Sequence, residues 1–591
     1  MLHTQGTAGS NARVLNPSPR PLTGKTNQRD PWLALAPIIL LAAISALTYY
    51  LGFTRPFPLA DNYQIPLTNI GPMTKGTLPS FNWWAIAWTI TFAVYYLAFR
   101  ICPPATQVSS AHRRVALAII CGSAALFCIF LLFMYPITAD DLFDQLFRAR
   151  ITTHYAQNPF IMSPSAFADD PFLPYVAWKY EGSPYGPMWE LLAAIPSWLA
   201  GDNLWNNLIF FKLLVIFAYG ATTLLTYLIL RTLKPEWALR GALLVAWNPL
   251  ALFEVAGSGH NDAVMVAFLL LAIYLFVKGW RIWVLPALMA AVLTKFVPLL
   301  LVPIAIAALW RDRLRLDESR LWHRLRGLSS RSPLPATMRD TGEHSAESAA
   351  SPRPPLSNRE ALSNLVIGSL LALGLAVVLY LPFWQGPQVM GVLNRQGLFT
   401  ASLPSLTAHF LERIMGLSTD AAQGIARNAA LVLVALTMIG LSLFVFLKGN
   451  ARTVPERRAL LFRTFGAFYE LFFIYLAFAT LWFQPWYLIW LVALTPLVAL
   501  YTNANRTVIF SFCGVVNYFV WLYIWFWSKG ESPDVTLTTM LLVYFPPIFY
   551  IIYTTLKPVY DRIWSPKISL VVDQQASRAD PLSTRPVRSK P

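Results

Sequence analysis

The chain has 591 residues, of which 56% are hydrophobic and only 13% charged, and its mean hydropathy is +0.50. A soluble domain carries roughly 45–50% apolar residues, so these proportions exclude an ordinary cytosolic enzyme and distribute the length as one polytopic membrane body. A formal charge of +17 would prompt a search for nucleic acid in a soluble protein, but here the basic residues border apolar runs and act as topology signals, so no nucleic-acid partner is implied.

Residues 1–31 are polar and basic and read as a cytoplasmic tail. The apolar stretch 32–50 that follows is longer than a signal-peptide core and has no clear cleavage site, so it reads as an uncleaved anchor. Further spans fall at 82–101, 115–135, 207–230, 240–256, 263–279, 282–294, 296–310, 362–382, 428–447, 465–482, 485–501, 508–527 and 537–556. The expectation is an all-α polytopic protein of about 14 transmembrane helices with both termini on one side. The segments that this map assigns to the inside hold 35 of the 46 Lys and Arg residues, which places the termini in the cytoplasm and the loop 136–206 outside. Two places are ambiguous: 186–200 is apolar but short, a re-entrant or interfacial helix, and 282–310 reads either as two short spans or as one long tilted span.

Cys102, Cys121, Cys128 and Cys513 lie in or beside these apolar segments with no C-x-x-C spacing, and neither a disulfide framework nor a metal site follows. Residues 311–360 form a long polar insertion, basic and then rich in Ser, Pro and Ala, which reads as a disordered cytoplasmic linker. Its early Leu314, Leu316, Leu321, Trp322 and Leu325 also allow an amphipathic helix on the membrane surface. The linker separates an N-terminal membrane module, 32–310, from a C-terminal one, 361–556, with a cytoplasmic tail over 557–591.

The outer loop opens with ITADDLFDQLFRAR directly after the third span. With Thr138 as N-cap, 139–154 reads as an interfacial helix that puts Asp140 and Asp144 on one face and Arg148 at the next turn. The acids here either cap the helix and complement its dipole, or supply a general base at the bilayer surface. Downstream, Asn158-Pro159-Phe160 and the run Gly182 to Trp189, with Tyr185 in it, give rigid turns and aromatic faces that suit either sugar stacking or a membrane interface.

Between the fifth and sixth spans, WNPLALFEVAGSGHNDAVMV gathers Glu254, His260, Asn261 and Asp262 around two glycines. Asn261 or Asp262 can cap the sixth span; alternatively the helix N-terminus and His260 form an anion site for a phosphate. Lys295 is a lone cation between two apolar half-spans, either snorkelling or facing a lipid-linked phosphate. Gln484-Pro485-Trp486-Tyr487 marks another outer break. In this topology all of these groups lie on one side of the membrane.

Taken together, the strings ADDLF, RAR, NPF, SPYGPMWELLAA, WNPLALFEVAGSGHNDAVMV, LTKFVPLLLVP and QPWYLIWLVAL, in that order from 139 to 495, resemble the bacterial polytopic mannosyltransferases of the GT-C fold. These are the polyprenol-phosphate-mannose-dependent group with glycosyltransferase family 87 and its relatives. Where such proteins often carry Tyr after the acidic pair and Asn-Pro-Tyr downstream, this chain has Phe143, Phe147 and Phe160. The resemblance implies a GT-C-like fold and an enzyme of the bacterial plasma (inner) membrane with its active site facing outside. It also implies transfer of a sugar, mannose first, from a polyprenyl-phosphate donor to a glycan or glycolipid acceptor by inverting displacement. By that analogy Asp141, or its neighbour Asp140, is the catalytic base. His260, Lys295, Asn261, Asp262, Arg148, Tyr185, Trp486 and Gln484 would then hold the donor phosphate, sugar or lipid. No cofactor is implied with certainty, because Lys and His can neutralise a leaving phosphate; a divalent cation on the paired carboxylates is the open alternative. Two other functions fit the same layout, a transporter or flippase of lipid-linked sugars and a glycan ligase. Transport favours ionisable groups near the bilayer midplane and repeated halves, which this chain does not show.

Overall fold

A computed structural model of the protein describes residues 31–315, 354–394, 399–524, 527 and 535–564. The tail 1–30, the linker from 316 to 353 with the surface-helix reading of Leu316, Leu321, Trp322 and Leu325, and the last residues lie outside them. The described residues form helices and no strand, apart from three isolated β-bridges.

In chain order the helices that matter here are α1 (Leu35–Thr54), α2 (Leu78–Ile101), α3 (Ser110–Leu132), α4 (Asp141–Thr153), α5 (Pro187–Ala200), α6 (Leu204–Leu233), α7 (Pro235–Ala246), α8 (Pro249–Gly257), α9 (Asp262–Lys278), α10 (Arg281–Thr294) and α11 (Val297–Arg311). After the linker come α12 (Asn358–Phe383), α13 (Thr419–Lys448), α14 (Val454–Ala479), α15 (Pro485–Val498), α16 (Tyr501–Ile524) and α17 (Leu537–Pro558). Nine of these, α1 to α3, α6, α12 to α14, α16 and α17, are long and apolar enough to cross a membrane, which fits a multi-pass membrane protein. The bent pair α7–α8 makes ten if counted as one span; it turns by 49° at Asn248-Pro249, where the Asn248 side chain accepts from the Ala251 amide.

All fourteen expected segments are helical, but the count of fourteen spans is not reached among the described residues, because α9, α10, α11 and α15 have 17 residues or fewer. At about 1.5 Å per residue such helices fall short of the roughly 30 Å hydrocarbon core. The ambiguity over 282–310 is resolved by an ion pair. Arg281, at the start of α10, lies 3.1 Å from Asp312, just past the end of α11. The two helices are therefore the antiparallel arms of a hairpin and not one tilted span. Lys295 stands at its tip, in extended conformation (φ −152°, ψ 127°), and Pro298 sits in the first turn of α11, where its missing N–H costs nothing.

The loop 136–206 carries two helices, α4 and α5, between irregular turns. Its far part is pinned by charge: Arg150 bonds Asp170 at 2.6 Å and Asp202 at 2.5 Å, and the Tyr155 hydroxyl donates to Asp170. The Asn158-Pro159-Phe160 turn fastens the loop to the end of α12, because the Asn158 amide donates to the Phe383 carbonyl and the Phe160 ring packs on Phe383. One apolar core joins helices on both sides of the linker, from Leu35 to Tyr544.

Candidate functional site

Helix α4 starts at Asp141, with Asp140 as its N-cap residue and no side-chain cap bond. The Thr138 cap expected from sequence is not formed, because the Thr138 hydroxyl sits 3.3 Å from that of Ser258 in the neighbouring turn. That turn is built on glycine. Gly259 has φ +76°, a region that side chains with a Cβ avoid, and a Cβ there would lie 2.8 Å from Leu142 of α4. The close approach brings His260 against Asp141.

His260 is nearly fully buried and gripped from three sides. Its Nδ1 lies 3.0 Å from a Glu254 carboxylate oxygen, its ring stacks on Trp486 with centroids 4.0 Å apart, and its Nε2 faces Asp141 Oδ2 at 3.6 Å. Glu254 also accepts from the Tyr518 hydroxyl at 2.5 Å. Burial alone would lower the imidazole pKa, but Asp141 and Glu254 outweigh it and raise it to about 9, so the ring is a cation at neutral pH. The 3.6 Å gap is longer than a hydrogen bond, and the Asp141 side chain keeps 20% exposure, so its carboxylate is both oriented and open. Asp140 is half-buried; burial, and then the charge of Asp141, raise its pKa to about 6.

A second ion pair lies beside the first. Both oxygens of Asp262, at the start of α9, meet the Lys295 ammonium at 2.8 and 2.9 Å, and Trp490 Nε1 donates to Asp262 at 2.5 Å. The ammonium also sits 4.7 Å from the centre of the Tyr487 ring. Lys295 therefore does not snorkel, and Asp262 is held by a cation instead of capping its helix. Asn261 occupies the N-cap position without a side-chain cap bond; its buried Nδ2 has no partner. The Gln484 backbone carbonyl accepts from the Tyr487 amide.

The loop segment before α5 closes over these pairs. Gly186 donates to the Thr294 carbonyl, and a Cβ at Gly186 would meet the Leu293 carbonyl oxygen at 2.0 Å, so only glycine permits this seating on the hairpin tip. Tyr185 is thereby placed where its hydroxyl pKa, raised first by burial, also feels Asp141, Arg148 and Asp262. Arg148 pairs with Asp144 at 3.6 Å, and its charge reaches Glu190. The structure thus gathers Asp141, His260, Asp262, Lys295, Trp486 and Tyr185 at one end of the bundle, with Asp140 and Asn261 at its edge. Glu254, singled out only as part of a polar turn, proves to be the partner of His260, and Tyr518 and Trp490 enter as carboxylate donors. Trp490 was legible as the i+3 neighbour of Tyr487 on one helix face; Tyr518, far off in α16, was not. Among the described residues no three His, Cys, Asp or Glu side chains are grouped as a metal ligand set.

Residues 61–311 match the family model of the MptA_B family, described as alpha-(1->6)-mannopyranosyltransferase, N-terminal domain. No curated protein matches the chain. The matched stretch includes Asp140, Asp141, Glu254, His260, Asp262 and Lys295. With the apolar helices, this match supports a mannosyltransferase family and fits a membrane glycosyltransferase.

Proposed function

We propose that the protein moves a mannosyl unit from a polyprenyl-phosphate donor to a glycan or glycolipid acceptor, forming an α-1,6 link, on a GT-C-like scaffold at the outer face of a bacterial plasma membrane. The observation that carries this is the open Asp141 carboxylate, held 3.6 Å from an imidazolium that is itself fixed by Glu254 and Trp486, inside the stretch that matches a mannopyranosyltransferase family. Asp141 takes the proton of the acceptor hydroxyl as that oxygen attacks the anomeric carbon, and the bond from that carbon to the phosphate oxygen breaks with inversion. His260 orients Asp141. Lys295, at the tip of the short hairpin, faces the charge that grows on the leaving phosphate.

Its pairing with Asp262 fixes the ammonium in place; Asn261 lies beside it, and Tyr185, Trp486 and Gln484 wall the sugar and lipid ends. The short helices α9, α10, α11 and α15, none longer than 17 residues, end beside this site, which suits a phosphate carried on a lipid. The opposite end carries Arg231, Lys234, Lys278, Arg311 and Arg457, which favours a cytoplasmic location for it and for both termini. The test is transfer of labelled mannose from synthetic polyprenyl-phosphate-mannose by purified wild type and by Asp141→Asn. Product from the wild type and a loss of about 10²–10⁴-fold in the variant is expected. Passage of lipid-linked sugar across vesicles with no product formed would replace this reading with transport.

A further inference from the structure

Beyond Asp141 the polar face of α4 continues inward. Positions 141, 144, 145 and 148 fall within one third of the helix circumference, and the stripe runs on the order of 10 Å along the axis. Asp144, Gln145 and Arg148 are buried, as is Glu190 of α5, whose carboxyl feels the Arg148 charge. Their visible bonds are few. Asp144 Oδ1 accepts from the Trp178 amide at 3.0 Å, Glu190 Oε1 from the Ser183 hydroxyl at 2.5 Å, and Arg148 reaches the Glu181 carbonyl at 3.5 Å. Asp144 Oδ2, both amide atoms of Gln145, Arg148 Nε and Glu190 Oε2 are buried with no hydrogen-bond partner.

So many orphaned polar atoms in one place are costly, and their kinds define what would relieve them. The set mixes donors, on Arg148 and Gln145, with acceptors, on Asp144, Glu190 and Gln145. An anion is opposed by two carboxyls and a cation by the guanidinium. Burial raises the pKa of both Asp144 and Glu190 to about 7, with Arg148 opposing, so the pocket is close to neutral. A neutral ligand bearing several groups that both donate and accept satisfies all of them, which is the chemistry of sugar hydroxyls.

We propose that Asp144, Gln145, Arg148 and Glu190 form a pyranose-hydroxyl subsite starting one turn inward of Asp141. The proposal rests on the glycosyl-transfer reading and gives Arg148 to the sugar instead of the donor phosphate. The sugar bound there is either the unit being transferred or the one that receives it, and kinetics separates the two.

The experiment uses the full-length protein in nanodiscs, a series of monodeoxy analogues of the donor mannose and of an acceptor mannoside, and the isosteric variants Glu190→Gln and Asp144→Asn. In the wild type, loss of one particular hydroxyl is expected to raise KM about ten- to hundredfold, as for a hydrogen bond to a charged group. In the variants KM for the intact sugar rises by a similar factor and the penalty for that deoxy position shrinks to within about twofold. A donor effect assigns the pocket to the transferred sugar, and an acceptor effect assigns it to the receiving one. If no deoxy position costs the wild type more than about twofold, the pocket holds only water and the proposal falls, whether or not either variant folds. Should the wild type transfer nothing, the reading of function fails by itself. Quenching of Trp178 and Trp189 fluorescence by methyl α-mannoside then judges the pocket: quenching lost in the variants upholds it, and no quenching in the wild type overturns it.

Discussion

The two ends of the helical bundle treat buried charge in opposite ways. At the basic end Asp312 is saturated: Arg457 Nε meets both its oxygens at 3.1 and 3.0 Å, Arg281 joins at 3.1 Å, and the remaining Arg457 nitrogens donate to the carbonyls of Val277 and Phe276. Of that network's side-chain atoms Arg281 Nε alone is buried without a partner, and the network ties α9, the α10–α11 hairpin and α14 together. At the other end Asp141 stops short of His260, and orphaned polar atoms accumulate on Asp144, Arg148, Glu190 and Asn261. A nearly closed ionic network holds the fold, whereas the open one leaves the polar atoms that the proposed sugar would take.

The contrast breaks most visibly under two substitutions. Asp141→Asn keeps the size of the side chain and removes the proposed base, so turnover should fall about 10²–10⁴-fold while the thermal midpoint in detergent stays close to that of the wild type. Arg457→Met should do the reverse. Removing one partner of a buried pair costs about 3–5 kcal/mol, so the midpoint drops sharply, yet KM of the protein that remains folded should be unchanged. A variant at either position that moved both readouts equally would erase the distinction between the ends.

Lys295→Gln is expected to lie between these. The amide can still donate to Asp262, and Trp490 Nε1 does so at 2.5 Å, so the stability loss should stay near 1–2 kcal/mol. The charge proposed to face the departing phosphate is gone, and kcat should drop about 10²-fold, as when an oxyanion donor is removed. Single-turnover kinetics with saturating donor checks this. A change confined to KM would move Lys295 from the transition state to ground-state binding.

Much of this was legible in sequence, for a physical reason. Hydrophobic runs and basic borders locate helices because the bilayer penalises anything else, and every expected segment is a helix. Length was the weak link. Whether 282–294 and 296–310 cross the membrane or fold back on each other depends on where Arg281 meets Asp312, a long-range contact that periodicity does not encode. In the same way Asp141 in its acidic helix start, His260 in its polar turn and Lys295 between apolar half-spans stood out, whereas nothing in the sequence marks Glu190, a first-turn acid of α5. Its burial and its orphaned oxygen arise only when α5 packs against α4. The cap at Thr138 failed similarly, because a hydroxyl brought in from residue 258 competes for it.

The smallest expected effect is also the one most particular to the open end. His260 has its pKa raised to about 9: burial opposes the charged form, and Asp141 and Glu254 overcome it. In the unfolded chain the value is about 6.5. A raised folded value means that the stabilisation is fully present below about 6.5 and is lost as pH rises through about 9. Above that pH the neutral ring no longer balances Glu254 or steadies Asp141, so stability and kcat/KM should decline together on the alkaline side. In His260→Gln the overall rate should be about tenfold lower, and the limb near pH 9 should vanish from both profiles. A limb that persisted unchanged in the variant would show that another group titrates there, and the Asp141–His260–Glu254 chain would lose its electrostatic role.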